Sequence, residues 1–432
     1  MTKVRRRARA WVTAVAIAAA PAAADVGAGL RLLDSGDEAG ARAHFTRDAA
    51  EASLYLALVE RGEARKTAAE RAAALAPADA TWIRDWANAL LEQDADHLDR
   101  AEVALRGALA GRAGDARLAK ALGDVLQREE KRVEARDAYR GAVAANPSHL
   151  PALLALGEVE RQLGDFTASY NAFNHAVGDD GRPASALVGR GTARYFLGDR
   201  DGALADLDRA AQIALPGMDR YRAYLATVGL YAMDRKLAGG LDRGESAVAM
   251  WQELGRADMA AAAANAVGRL LLETGQADAA GVWYDRGWQI VDASPLKPEE
   301  KVIWHVRQLH GRARVAAHQR SFDDAQQLAD QAKALMDGDP ANAEHYRWIY
   351  PYLVGYLRYE QRKYNEAIEA LQQSDTDRPY IQYLIADSYA RLRDRATARG
   401  WFQKALAGST GLDSESAIVR PLATAWLQKN PG

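Results

Sequence analysis

Apolar and small residues in this chain return at spacings of three and four, with polar positions between them, the mark of one-sided α-helices. A longer period lies over that short one. Leu122-Gly123, Leu156-Gly157 and Arg190-Gly191 stand 34 residues apart, and the same step relates Ala135, Ser169 and Ala203, then Tyr139, Phe173 and Leu207, then Ala142, Ala176 and Ala210. No segment shows sustained period-two alternation, so an all-α chain of helical hairpins is predicted. Two antiparallel helices approach closely only where side chains are small. Gly123 and Ala135 are therefore expected where the helices of one hairpin touch, with Tyr139 filling the groove beside them. A lone hairpin cannot cover its apolar faces, and stacked neighbours close a continuous core.

These columns resemble the tetratricopeptide repeat family, whose unit carries a small residue in its first helix, then Ala, an aromatic residue and Ala in its second, with Pro between units. Pro147 fills that last position. With the register fixed, weaker copies follow: Val267-Gly268 with Ala280, Trp283 and Tyr284; Val354-Gly355 with Ala367 and Leu371; Ala386 with Ala398, Phe402 and Ala405. Upstream, Gly36-Asp37 with Ala41 and Phe45, Gly62-Glu63 with Ala74, and Trp82 to Gln93 followed by Leu98 to Ala110 read as degenerate hairpins. The resemblance implies an α-α superhelical solenoid of about eleven hairpins over residues 25–408, with longer, irregular stretches at 218–255 and 298–337. Asn146-Pro147, Leu215-Pro216-Gly217, Ser294 to Pro298 and Asp337 to Pro340 punctuate it between hairpins. Residues 409–432 form a loop and a final helix, Ala417 to Lys429, expected to cap the open end with Arg420, Gln428 and Lys429 toward water.

The N-terminus reads differently. Lys3, Arg5, Arg6, Arg7 and Arg9 precede an uncharged stretch from Trp11 to Ala20, then Pro21-Ala22-Ala23-Ala24, so residues 1–24 are expected to be a secretory signal cleaved before Asp25, by the general secretion route rather than the twin-arginine one. The apolar run is too short to span a bilayer. The whole chain has 56 basic and 58 acidic residues; loss of the five basic residues of the signal would leave about −7. With no basic block after Arg9, neither nucleic acid nor an anionic membrane is an expected partner. The absence of cysteine in the sequence removes disulfides, thiolate metal sites and a cysteine nucleophile.

Motifs for chemistry are missing as well. No nucleotide-cradling loop occurs, and Gly189-Arg190-Gly191 continues as Thr-Ala-Arg on a predicted helix, so these glycines are assigned to packing. His305, His310 and His318 cluster in sequence without sharing a helix face, and no metal, cofactor or catalytic residue is assigned.

Surface remains. In the family, one face of the first helix of each unit lines a concave inner surface where extended peptides bind. Carried over, this implies Tyr352, Tyr356 and Tyr359 in one unit and Tyr380 and Tyr383 in the next, in a region holding nine of the 17 tyrosines. Tyrosine offers a stiff apolar face with a polar tip, suited to a peptide or a sugar ring. Packing between the last hairpins is the competing reading for these rings, and both stay open. A polar set on the same face comprises Lys120, Gln127, Arg128, Glu158, Arg161 and Gln162, then Asn265, Arg269 and Arg312, with the arginines able to take a carboxylate bidentately. Asp124 stands where the family's carboxylate clamp has Asn, which argues against recognition of an acidic C-terminal peptide.

The expected function is a non-catalytic scaffold of the bacterial cell envelope, exported and either periplasmic or envelope-associated, that binds a protein or peptide segment on its concave face. The alternative is a carbohydrate-binding protein or an accessory protein of exopolysaccharide synthesis or export.

Overall fold

A computed structural model describes residues 26–42, 44, 50–178, 181 and 183–431. The expected signal peptide, its cleavage site and Phe45 lie outside the described residues. All regular structure among the described residues is helical, and the helices pair into successive antiparallel hairpins. It divides into two compact units, the first ending at Val125 and the second beginning at Leu126.

The first unit holds α1 (Val26–Asp34), α2 (Glu38–Arg42), α3 (Ala50–Val59), α4 (Gly62–Leu75), α5 (Thr81–Asp94), α6 (Leu98–Gly111) and most of α7 (Ala116–Arg128). Its pairs α3/α4 and α5/α6 pack as hairpins. Their core centres on Tyr55 and Trp86, fully buried and meeting edge to face at 6.2 Å. Such a contact adds to the area both rings bury.

The second unit runs through α8 (Arg132–Ala145), α9 (Leu150–Gln162), α10 (Phe166–Val177), α11 (Ala184–Phe196), α12 (Arg200–Ile213), α13 (Met218–Met233), α14 (Leu241–Glu253), α15 (Ala257–Glu273) and α16 (Ala277–Asp292). It continues with α17 (Pro298–His318), α18 (Phe322–Asp337), α19 (Ala343–Tyr346), α20 (Ile349–Glu360), α21 (Tyr364–Gln372), α22 (Pro379–Arg391), α23 (Arg395–Gly408) and α24 (Ser414–Lys429). The first helices of successive hairpins, α9, α11, α13, α15, α17, α20 and α22, touch one another in that order and form the inner layer. The irregular stretch 218–255 is α13 and α14 joined through a 3-10 turn at Leu237–Gly240, and 298–337 is the pair α17 and α18, lengthened by the 21-residue α17.

The expected small-residue crossings are present. A Cβ on Gly157 would come 2.7 Å from the Phe173 ring, and Gly189 of the next hairpin lies against the other side of that ring. Ser169, in the alanine column, donates its hydroxyl to the Gly157 carbonyl at 2.8 Å. A further column emerges in the turns between paired helices: Asp96, Glu130, Gly164 and Gly198 all adopt positive φ, at the same 34-residue step. Gly meets that demand without strain, and Asp or Glu meets it at a cost. Asp165 and Asp199 directly follow the two glycines and cap α10 and α12 by accepting from the Ala168 and Gly202 amides.

The final helix departs from expectation. Instead of only closing the end of the stack, α24 packs on α13, α15 and α22 of the inner layer as well as on α23. Leu412, Ala417, Ile418, Val419 and Ala423 join the core that extends back to Ala203. Arg420, expected in water, lies over Phe196 and Phe166 and donates to the Ser409 carbonyl at 2.9 Å. Gln428 and Lys429 are exposed, as expected.

Candidate functional site

The inner layer of the second unit curls until α15, α17, α20 and α22 face a common centre. The tyrosines predicted for a concave face do lie there. They line no open groove. Tyr352 is 6% exposed, Tyr356 and Tyr380 are each 1% exposed, and Tyr359 and Tyr383 are half-buried against the same core. Tyr359 donates to Asp387 at 2.6 Å, and Tyr383 stacks on Tyr380. The packing reading therefore describes these rings, and the expectation of an exposed tyrosine patch is corrected. Spacing along one helix fixes which face a ring occupies. Closure of that face depends on residues elsewhere in the chain.

One of those residues is Glu415, in the first turn of α24. Arg269 Nη1 on α15 donates to it at 3.0 Å, and Arg378, at the start of α22, donates through Nε at 2.9 Å and through Nη2. Further along the segment, Arg161 Nη1 on α9 donates to Thr410 Oγ1 at 2.9 Å. The Leu412 carbonyl lies against Gly229 of α13, leaving no room for a Cβ there. Arg161 and Arg269, both predicted to take a ligand, thus hold the chain's own C-terminal segment. Burial of the Leu412, Ile418 and Val419 side chains alone contributes roughly 5–9 kcal/mol, so this segment is a fixed part of the fold.

Behind Glu415 lies a polar interior. The Arg314 guanidinium on α17 pairs with Glu273 and sits over the Tyr356 ring at 4.6 Å, with the Tyr352 and Tyr380 rings at 5.6 and 5.8 Å. Arg269 lies over Tyr380 at 4.7 Å. His310, one turn before Arg314, tilts against Tyr352 at 5.1 Å, and Tyr284 of α16 fits its ring against Gly311. Burial, reinforced by nearby Arg314, Arg269, Arg378 and Arg307, holds the His310 imidazole well below its ordinary pKa, and it is neutral. Burial also pushes the Tyr284 phenol up to about 12. Several polar atoms here have no hydrogen-bond partner: Nε of Arg269, Nε of Arg314, Nε2 of His310, and the hydroxyls of Tyr284 and Tyr352. Native interiors leave few such atoms, since each costs about 1–3 kcal/mol. The sequence points to Arg269, offers His310 only as one of three histidines that share no helix face, and carries no local motif that marks Arg314.

The remaining predicted residues scatter. Lys120 pairs with Asp124 one turn on at 2.7 Å, and Arg128 is exposed in the last turn of α7. Asn265 is half-buried one turn before Arg269, with its Oδ1 unpartnered. Arg312 faces away from the tyrosine centre, 3.6 Å from Asp285 of α16, with its side chain 41% exposed. There it borders an open cavity of about 330 Å³ between α17 and α18, whose rim carries Gln319, Asp324, Gln327 and Gln331 over Val315, Ala316 and Leu328. Among the described residues, no group of three His, Asp or Glu side chains is placed to hold a metal, and no helix is long and apolar enough to cross a membrane.

Comparison with protein families and with curated proteins finds no match. Among solved structures, the chain is similar to a tetratricopeptide repeat protein from Parabacteroides merdae, with 17% identity, 59% of this chain and 93% of that one covered, and a TM-score of 0.43. It is also similar to PilF of Pseudomonas aeruginosa, with 20% identity, 48% and 97% covered and a TM-score of 0.39. A third similarity is to MamA, with 19% identity, 37% and 87% covered and a TM-score of 0.32. The repeat reading stands on this chain's own hairpins and crossings.

Proposed function

We propose that the protein is a non-catalytic scaffold of the cell envelope that binds an extended segment of a partner protein in the groove between α17 and α18. The single observation behind this is the character of that groove. Its floor is apolar, from Val315, Ala316 and Leu328, and its rim offers amide and guanidinium groups from Gln319, Gln327, Gln331 and Arg312. An extended peptide presents the complementary pattern, with backbone carbonyls and amides at regular intervals and side chains to fill the floor. Helical-repeat arrays supply rigid surfaces of this kind by stacking. The envelope assignment is supported by the basic head, apolar run and small-residue site of residues 1–24. Burial of the tyrosines removes the stacking face on which the polysaccharide alternative depended, so that alternative has no observation in its favour.

The test is site-specific photo-crosslinking from Gln327 in cells, with the captured protein identified by mass and compared with an Arg312→Glu, Leu328→Asp variant. A partner captured by the wild type and lost from a folded variant supports the reading. Capture unaffected by both substitutions would remove the groove as the site, and recovery of the protein from the cytoplasm with residues 1–24 intact would remove the envelope assignment.

A further inference from the structure

The groove between α17 and α18 has a third border, formed by α16. A Cβ on Gly281 of α16 would meet Arg312 Nη1 and lie 3.9 Å from Val315 Cγ1, and Gln319 donates to Asp278 of α16 at 2.6 Å. Asp278, Val282 and Asp285 follow one another along α16 at spacings of four and three, so they share one helix face. Asp285 lies 3.6 Å from Arg312, which lines the groove, and that face is therefore the one turned toward it. Val282, between the two carboxylates, is 65% exposed. On the opposite border α18 contributes Asp324, and Gln327 and Gln331 continue onto a surface that also carries Asp323 and Asp330. Five carboxylates thus border a floor of Val315, Ala316 and Leu328.

Two bases oppose them: Arg312, and Arg320 in the turn before α18, which lies over Phe322 at 5.9 Å. The other basic residues of α16 and α18 are engaged elsewhere. Arg286 donates to Glu245 of α14 at 2.5 Å, and Lys333 donates to Asp337 and lies over Tyr350 at 5.6 Å. On α17, Lys301 donates to the Asp292 carbonyl, Arg307 lies over Trp304, Arg314 is buried with Glu273, and His318 pairs with Glu360. Five acids against two bases leave the groove with an excess of about three negative charges. Helix starts favour acidic residues, which accounts for Asp278, Asp323 and Asp324 in the first turns of α16 and α18. It does not account for Asp285 and Asp330, which lie beyond those turns, or for the exposed Val282.

We propose that the segment bound in this groove is basic, with lysine or arginine on either side of an apolar residue. The proposal rests on the groove reading above and names the chemistry of its occupant. An extended chain advances about 3.3 Å per residue, so the two bases stand roughly 6.6 Å apart. Asp278 and Asp285 stand about 10 Å apart along α16. With the apolar side chain on the floor, the long basic side chains reach outward to those carboxylates or across to Asp324, and their stems cover Val282. An acidic segment would meet like charge on both borders. Complementarity of this kind selects the partner and speeds its encounter more than it adds raw affinity.

The test is fluorescence anisotropy of the purified chain with three labelled peptides of equal length, in which leucine alternates with lysine, glutamate or serine. At low salt the lysine peptide is expected to bind at least about tenfold more tightly than the serine peptide, and the glutamate peptide more weakly than either. Added salt should shrink the difference. Variants with unchanged helical spectra locate the effect. Asp278→Asn with Asp324→Asn should remove most of the lysine preference, whereas Asp201→Asn with Asp242→Asn, exposed on α12 and α14, should not. Asp324→Lys should shift the preference toward the glutamate peptide, and Leu328→Asn should weaken all three by spoiling the floor. A lysine peptide bound no more tightly than the glutamate peptide would overturn the proposal. So would a lysine preference that the groove variants leave intact, which would mark diffuse attraction to the whole chain. The two readings fail separately. Loss of the lysine preference while Gln327 still captures a partner in cells removes the basic occupant and keeps the groove; capture in cells that is indifferent to Arg312→Glu, Leu328→Asp removes the groove whatever the peptides do.

Discussion

Glu415, in the first turn of α24, accepts a hydrogen bond from Arg269 of α15, 146 residues earlier in the chain. Arg378 closes on the same oxygen from the start of α22. One carboxylate therefore ties the last helix to two inner-layer helices that are not neighbours in the stack, and a solenoid becomes a closed body there.

The tie gives stability a definite pH signature. Burial alone would raise the Glu415 pKa, but Arg269 and Arg378 outweigh it and lower the carboxyl from 4.5 to about 2. A depressed carboxyl contributes stability that is fully present above its unfolded pKa, near 4.5, and is lost as the pH falls toward 2. A shift of this size corresponds to about 3 kcal/mol. Glu415→Gln is expected to cost roughly that much at pH 7, and to flatten the wild type's loss of stability between about pH 4.5 and pH 2.5. Urea unfolding of both proteins across that range measures it. Equal acid sensitivity in the two would show that this carboxylate is not what ties the helix down.

Tyr352 separates packing from binding by stability alone. Its ring is buried among Trp348, His310 and Tyr380, so Tyr352→Ala should leave a cavity and cost about 3–5 kcal/mol. Its hydroxyl has no partner, so in ligand-free protein Tyr352→Phe should change stability by less than about 0.5 kcal/mol or raise it. Thermal unfolding of the pair decides the matter. An alanine variant as stable as the wild type would return the ring to the surface.

The turn column predicts substitutions of opposite sign. Glu130 holds φ +61° and Gly198 holds φ +89° at equivalent points of two hairpins. Glu130→Gly should stabilise by up to about 1 kcal/mol, because relief of left-handed strain exceeds the added flexibility of the unfolded chain. Gly198→Ala should destabilise by about 1–2 kcal/mol for the converse reason. Chemical denaturation midpoints provide the comparison, and two shifts of the same sign would contradict a shared turn geometry.

How much of this was legible in the sequence follows the range of the interactions. Gly157, Ala135, Tyr139 and Phe173 are contacts within or between adjacent hairpins, and they repeat, so one chain carries several readings of the same rule. The positive-φ turn was harder to see, because Asp96 and Glu130 occupy it where glycine would have marked it. The inner face of α20 was also legible from the spacing of Tyr352, Tyr356 and Tyr359. Their burial was not, since it depends on how far the stack curls and on Glu415, Leu412 and Ile418 arriving from the end of the chain. The meeting of Arg314 with His310 is illegible for the same reason: their neighbours come from α15, α20 and α22, and no local pattern encodes it.

Gly229 and Gly400 test the C-terminal segment without touching a charge. Both sit inside helices, where replacing glycine by alanine normally stabilises by about 0.5–1 kcal/mol. Nothing lies within 4 Å of a Cβ at Gly400, so Gly400→Ala on α23 should give that gain. At Gly229 the Leu412 backbone carbonyl occupies the space a Cβ would need, and a backbone atom cannot rotate away as a side chain can. Gly229→Ala should therefore push residues 409–413 off α13, costing roughly 1–3 kcal/mol by overpacking. It should also loosen the Arg161 to Thr410 bond carried by the same loop. Hydrogen exchange of residues 409–413 reads the displacement directly, and unfolding curves read the cost. If Gly229→Ala stabilised the protein as Gly400→Ala does, and exchange in the loop did not change, the segment would not lie on α13.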